Sequence, residues 1–173
     1  MTDVLTQEQR RFNMSRIRGR DTKPEMLVRR GLHARGLRYR LHDRTLPGRP
    51  DLVFPKYHTA VFVHGCFWHA HGCALSKLPA TRQDFWRVKF EGNAARDKRA
   101  VEALQTDGWR VLVIWECALR GLGRLDSARA LDRAARYIRQ NRASSLVEIA
   151  GGVGWKAELD CHLCRAFAKE GPH

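Results

Sequence analysis

The 173-residue sequence predicts one α/β (α+β) domain, a mixed β-sheet flanked by helices, and three observations carry that prediction. Capping boxes open two segments near the N-terminus; three short apolar runs follow between turn-rich linkers; a long polar stretch of helical period then leads into a near-continuous apolar run. Thr6-Gln7-Glu8-Gln9 opens a short basic helix that runs to about Arg16. Thr22-Lys23-Pro24-Glu25 is the second box, with Leu27, Leu32 and Ala34 near helical spacing behind it and Gly36 as the stop. Residues 37–41, 51–54 and 59–63 read as a β-meander, separated by Leu46-Pro47-Gly48-Arg49-Pro50 and by Pro55-Lys56-Tyr57. Residues 82–107 carry Phe85, Val88, Val101 and Leu104 on helical spacing, with a break expected at Gly92-Asn93 and an end at Gly108. Residues 109–115 are a buried strand, and 127–140 form another amphipathic helix. The order is α-α-β-β-β-α-β-α, in one body spanning residues 1–145, with 146–173 an unassigned tail.

Composition narrows the function classes. The longest apolar stretches fall far short of the roughly 20 residues of a membrane-spanning helix, and residues 1–12 carry no apolar core of the secretory type. An intracellular protein is expected, in which the five cysteines suit metal binding better than disulfides. The formal net charge is +14, and residues 1–50 alone hold 13 Lys+Arg against 5 Asp+Glu. A basic, arginine-rich first third is the footprint of a polyanion partner, because each guanidinium set against a phosphate releases counterions. A solvated basic face is the competing reading.

The densest chemistry lies in residues 63–73, where two cysteines and three histidines crowd just beyond a strand. Cys66, His71 and Cys73 can close on one tetrahedral Zn²⁺, since thiolate and imidazole suit that ion. Cys117, at the end of the buried strand, is the natural fourth ligand, and buried free thiols are the alternative. His64 and His69 are left over from that cage and are free for acid–base work, or are ordinary hydrogen-bonded histidines. Pro50-Asp51 opens a strand whose neighbour ends Phe62-Val63-His64, similar to the Pro-Asp…(Asp/Glu)-x-Lys layout of metal-dependent nucleases. The second carboxylate and the lysine are absent: His64 stands near the lysine's place, and a backbone carbonyl would be the second protein ligand to Mg²⁺. Asp51 reads equally as a turn-and-cap aspartate, and Glu25 as nothing more than the return carboxylate of its capping box. Asp97 is a solvated helix carboxylate or the group that orients an imidazole. Phe67 and Trp68, with Met14 on the basic helix, suit a wedge that unstacks a duplex, or else Phe67 and Trp68 cap the knuckle and pack on the sheet.

At these residues the sequence resembles the very-short-patch-repair (Vsr-type) DNA mismatch endonucleases. The resemblance is carried by Asn13-Met14, Arg20-Asp21-Thr22 with Glu25, Leu46-Pro47-Gly48-Arg49-Pro50-Asp51, His64-Gly65-Cys66-Phe67-Trp68-His69, Pro79-Ala80-Thr81-Arg82, Phe85-Trp86, Arg96-Asp97, Gly108-Trp109-Arg110-Val111 and Trp115-Glu116-Cys117-Ala118-Leu119-Arg120. It runs from about residue 3 to 125. It implies a restriction-endonuclease-like core and Mg²⁺-dependent nicking of DNA 5′ of a thymine mispaired with guanine, the lesion left when 5-methylcytosine deaminates. It further implies Asp51 and the carbonyl of Val63 as Mg²⁺ ligands, His69 as general base, His64 and Asp97 in support, and Glu25 holding water beside the metal. Cys66, His71, Cys73 and Cys117 would form the structural Zn²⁺ site, and Met14, Phe67 and Trp68 the intercalating wedge. Val63 departs from relatives, which carry threonine there.

The expected protein is therefore a monomeric, cytoplasmic, nucleoid-associated enzyme of bacterial type, acting on double-stranded DNA alongside mismatch-repair proteins. Two alternatives stay open: a zinc-stabilised protein that binds mismatched DNA without cutting it, and a related nuclease with another lesion specificity. The Cys161-His162-Leu163-Cys164 segment is a lone CxxC in the tail and reads as free thiols, with a metal half-site shared between chains as the other possibility.

Overall fold

A computed structural model of the chain describes residues 6, 8, 9, 12, 19–121, 123–140 and 145–151. Of the expected first helix only the opening is among them: Gln9 N–H donates to Thr6 Oγ1 (3.2 Å) and Thr6 N–H to Gln9 Oε1 (2.9 Å). Met14 and the Cys161/Cys164 tail lie outside the described residues.

Helix α1 (Lys23–Ala34) begins where the sequence places it, on a reciprocal capping box between Thr22 and Glu25 with Pro24 in the first turn. Strands β1 (Arg40–Leu41), β2 (Leu52–Phe54) and β3 (Thr59–His64) pair antiparallel in sequence order, with a 3₁₀ turn (Pro55–Tyr57) between the last two. That is the expected meander, but β1 is shorter than expected because residues 37–39 run outside the ladder. Helix α2 (Gln83–Thr106) then carries the chain across to β4 (Arg110–Trp115), which pairs parallel with β3. A short helix α3 (Glu116–Leu119), helix α4 (Ser127–Arg139) and strand β5 (Leu146–Ile149) complete the described chain, with β5 parallel to β4. The sheet order is β1-β2-β3-β4-β5.

Two features differ from the sequence reading. The expected break at Gly92-Asn93 is absent and α2 runs unbroken for 24 residues, glycine costing a helix only about 1 kcal/mol against alanine. Strand β5 falls in the segment read as a tail; it is four residues long and mixed in polarity, and what makes it a strand is the open edge of β4.

Helices cover both faces of the sheet. Leu52, Val61, Leu112 and Ile114 pack with Val28 and Leu32 of α1 and with Ala130, Leu131, Ala134 and Ile138 of α4. Ala60, Phe62, Val111, Val113 and Trp115 pack on the other side with Val101 and Leu104 of α2. Alternate residues of β4 thus serve opposite cores, which is why its sequence is apolar throughout rather than alternating. Gly31 lets α1 and α4 touch: a Cβ there would come within 2.3 Å of the Leu131 side chain. Buried Arg110 pins the end of α4, donating to the carbonyls of Tyr137 (2.8 Å) and Ile138 (2.7 Å) and to Thr59 Oγ1 (2.7 Å). A cation set on the last carbonyls of a helix also suits its dipole.

Candidate active site and metal centre

The site forms at the end of the sheet where β3 and β4 finish, because four elements deliver their polar side chains there. Register places Leu52 opposite Val61, so Asp51, just before β2, lies against the end of β3. The Val63 N–H donates to Asp51 Oδ2 at 2.7 Å, which joins the two residues expected to hold Mg²⁺. Burial pushes the Asp51 carboxyl up to about 6, the Val63 amide opposing that rise and neighbouring Glu25 adding to it. His42 and His69 also oppose the rise, and a carboxylate desolvated in this way fits a hard divalent cation.

His64 ends β3 and is buried, its ring stacked on that of His69 with centroids 3.9 Å apart and planes 4° from parallel. Burial holds its pKa well below the usual imidazole range, with His69 and His71 adding to the effect, so His64 is neutral. The His69 ring meets Asp97 Oδ2 through Nδ1 at 2.5 Å. That contact leaves Nε2 as the nitrogen for proton transfer and gives it a carboxylate to stabilise the protonated ring. Asp97 is presented by the unbroken α2, one turn after Asn93, whose Nδ2 donates to the Trp68 carbonyl at 2.7 Å. The two therefore grip the 65–70 loop from one helix face, which a break at Gly92-Asn93 would undo.

That loop turns back on itself: His71 N–H donates to the Cys66 carbonyl (3.1 Å), and Ala70 and Gly72 both take positive φ. The reversal brings Cys66, His71 and Cys73 together with Cys117 of α3, each offering a donor atom within 4.8 Å of the others. Cys117 N–H donates to Cys66 Sγ at 3.3 Å, and Cys117 Sγ lies 3.5 Å from His71 Nδ1. Cys66 and His71 hydrogen-bond the Cys117 sulfur and hold its pKa below the usual thiol range, while the proton shared with Cys117 drives the Cys66 thiol upward. Three sulfurs and an imidazole at this spacing fit tetrahedral Zn²⁺. The His71 ring stacks on Trp115 at 4.1 Å, so the cluster and the His64–His69 pair share one indole as a wall.

Phe67 and Trp68 are half-buried. Their rings meet edge-on at 5.0 Å, and Phe67 packs on Trp86 (5.1 Å) and Phe90 (5.3 Å) of α2. Lys89 lies 5.9 Å from the Trp68 ring and Arg82 4.8 Å from the Phe85 ring, giving the aromatic surface a basic fringe. Glu25 is buried and does more than cap: it accepts from Thr22 N–H (3.4 Å) and lies 3.3 Å from Arg29 Nη1 and 3.1 Å from His42 Nε2.

The sequence-predicted residues thus converge: Asp51, Val63, His64, His69, Asp97 and Glu25 at one end of the sheet, the four zinc-type ligands beside them, and Phe67 and Trp68 on the intervening loop. Sequence reasoning missed His42, Asn93 and Trp86. His42 was legible in principle, since antiparallel pairing of Arg40 with Val53 and Leu41 with Leu52 sets His42 against Asp51. Trp86 stood in the sequence only as part of the Phe85-Trp86 segment of the resemblance, with no role of its own, and Asn93 carried no signal, because each acts through contacts with a loop remote in sequence.

Comparison with known proteins identifies the family. The family model described as DNA mismatch endonuclease Vsr matches residues 2–75. The type II nicking enzyme V.XorIIP of Xanthomonas oryzae pv. oryzae is 51% identical over 127 residues, covering 73% of this chain and 93% of that protein. The DNA mismatch endonuclease Vsr of Escherichia coli K12 is 44% identical over 151 residues, 87% of this chain and 97% of that protein. The type II nicking enzyme V.NmeAIP of Neisseria meningitidis is 44% identical over 120 residues, 69% and 86% of the two chains. At that identity and coverage, with the catalytic-type and zinc-type clusters both assembled, the chain belongs to the Vsr family of DNA mismatch endonucleases.

Proposed function

We propose that this protein nicks duplex DNA on the 5′ side of the thymine in a T·G mismatch, by Mg²⁺-dependent phosphodiester hydrolysis on a restriction-endonuclease-like core. The observation that carries this reading is the His69–Asp97 pair, 2.5 Å apart, set in the same cluster as buried Asp51. Asp51 and the Val63 carbonyl would hold the Mg²⁺, which when bound supplies positive charge against the charge that develops on the phosphate. His69 takes the proton of the attacking water at Nε2, and Asp97 stabilises the imidazolium that results. Neutral His64 stacks on the His69 ring and fixes its plane, and Glu25 adds a second carboxylate near Asp51. A structural Zn²⁺ on Cys66, His71, Cys73 and Cys117 would hold the 65–73 loop in the shape that points His69 at its target.

Phe67 and Trp68 sit on that same loop, so a wedge pushed into the base stack and the general base move as one piece. One such cluster is present among the described residues, which suits a monomer that cuts a single strand of bacterial chromosomal DNA. Among the described residues no helix is long and apolar enough to cross a membrane.

The test is a nicking assay on duplexes with one T·G mismatch in several methylation-site contexts, with and without Mg²⁺, comparing wild type with Asp51→Ala. The expected result is one Mg²⁺-dependent nick 5′ of the thymine, lost in Asp51→Ala. Tight mismatch binding with no nick in any context would make this a recognition protein instead, and a nick at another lesion would replace the T·G assignment.

A further inference from the structure

Helix α4 presents an outer face that the proposed chemistry does not use. Its sequence holds four arginines against one carboxylate, Asp132. At about 100° per residue, exposed Arg129, Arg133 and Arg136 fall within an arc of about 60°, a row about 10 Å long on the solvent side. The other side of the helix carries Ala130, Leu131, Ala134, Ala135, Tyr137 and Ile138, all buried, so the row is mounted on a helix fixed to the core.

The row has no counter-charge of its own. Asp132 is taken by Arg35 from the end of α1, with Nε 2.7 Å from Oδ1. Among the described residues Arg129, Arg133 and Arg136 form no ion pair, and they stand four and three residues apart, spacings at which like charges on a helix repel. Arg139, whose guanidinium donates to the Arg35 carbonyl, widens the basic surface toward α1. A hollow where the two helices meet is lined by Arg35, Asp132, Ala135, Arg136, Arg139 and Gln140.

The composition of this face selects its partner. None of the exposed large apolar side chains belongs to α4, so the face lacks the apolar centre around which protein interfaces are built. Interfaces with DNA are instead polar and strongly positive. A stretch of duplex about 10 Å long carries about six phosphates on its two strands, and the guanidinium fork matches phosphate oxygens. The row also lies over the sheet face that α1 and α4 cover, whereas Phe67 packs on α2, which covers the opposite face. The two surfaces therefore look toward different stretches of DNA.

We infer that the outer face of α4, through Arg129, Arg133 and Arg136, is a second DNA-binding surface, which holds the phosphate backbone of a duplex segment other than the one at the cleavage site and reads no bases. The inference goes beyond the cleavage reading: it needs a chain that binds duplex DNA, and neither T·G specificity nor Mg²⁺. A protein built in this way bridges two segments and stays close to DNA when one of them is released.

A sandwich assay tests it. Full-length, zinc-loaded protein is held on an immobilised T·G duplex without Mg²⁺, washed, and offered a labelled homoduplex. Wild type is expected to capture the labelled duplex, with log affinity falling against log salt at a slope of about −3, because three phosphates are neutralised at about 0.9 each. In Arg129→Gln/Arg133→Gln/Arg136→Gln capture is expected to fall roughly tenfold or more, while retention on the first duplex and single-turnover nicking of it with Mg²⁺ stay within about twofold of wild type. Glutamine is a good helix former, and a circular dichroism melt matching wild type establishes that the variant is folded. The corresponding triple lysine variant keeps the charge and is expected to restore most of the capture. No capture by wild type, equal capture by the glutamine variant, or loss of the first duplex together with the second overturns the inference. Capture of polyglutamate in place of duplex overturns it in favour of an acidic protein partner. Wild type that is not held by the T·G duplex counts against the mismatch reading alone, and an immobilised homoduplex then serves as the first segment.

Discussion

Replacing Asp51 by Asn should make the metal-free protein more stable, and more so at high pH. Burial raises the folded-state pKa of Asp51 from 3.8 to about 6. The folded chain then binds this proton more tightly than the unfolded chain does, so the group's contribution to stability falls as pH rises from about 4 to about 6 and is level above. A shift of about two units, at 1.36 kcal/mol each, makes the ionised carboxylate a penalty of about 3 kcal/mol at pH 8 and roughly half that at pH 5. Asparagine keeps an oxygen to accept the Val63 N–H and removes the charge. Urea unfolding of both proteins at pH 5 and pH 8, without Mg²⁺ and with zinc retained, measures the difference. Asp51→Asn is expected to gain about 3 kcal/mol at pH 8, about 6–12 °C in Tm for a chain of this size, and about half as much at pH 5. Saturating Mg²⁺ should narrow the gap by stabilising only the wild type. An Asp51→Asn protein no more stable than wild type at pH 8, or equally favoured at both pH values, would refute the argument that this carboxylate is held against its own desolvation.

Three further outcomes are expected. Cys117→Ala should lose bound zinc, measured by metal analysis, and at least about 3 kcal/mol of stability; a stable, zinc-free, soluble variant would count against the shared cage. His69→Ala should lower the nicking rate roughly 10²–10⁴-fold at unchanged DNA affinity, and Asp97→Asn roughly 10–100-fold, read from single-turnover rates beside binding isotherms. Trp68→Ala should weaken binding to T·G duplex more than to homoduplex, and equal losses on the two would remove the wedge.

The chemistry of this protein is local in sequence to an unusual degree, and that is why so much of it was legible. The 63–73 run carries both histidines of the stacked pair, three of the four zinc-type ligands and the aromatic pair, because one tight loop holds them all. The capping box at Thr22 and the all-apolar 110–115 strand announce themselves through backbone hydrogen bonding and burial on both faces, which act at the level of single elements. Asp97 was visible only as one of two possibilities, since a helix carboxylate between Arg96 and Lys98 is solvated until some loop packs on it.

What only tertiary structure decided are the meetings between distant segments. Gly92-Asn93 reads as a helix stop by propensity, yet contacts from Asn93 to the Trp68 carbonyl and from Asp97 to His69 reward an unbroken helix by more than one glycine costs. Strand β5 exists because β4 presents an unpaired edge, a property of the sheet and not of residues 146–149. His42 comes to lie beside Glu25 and Asp51 through β-register and a left-handed backbone, neither of which a lone histidine after a strand reveals. Residue types and spacings thus determined which atoms this chain has for binding metal and moving protons; the packing of helices and loop against one end of the sheet decided which of those atoms meet.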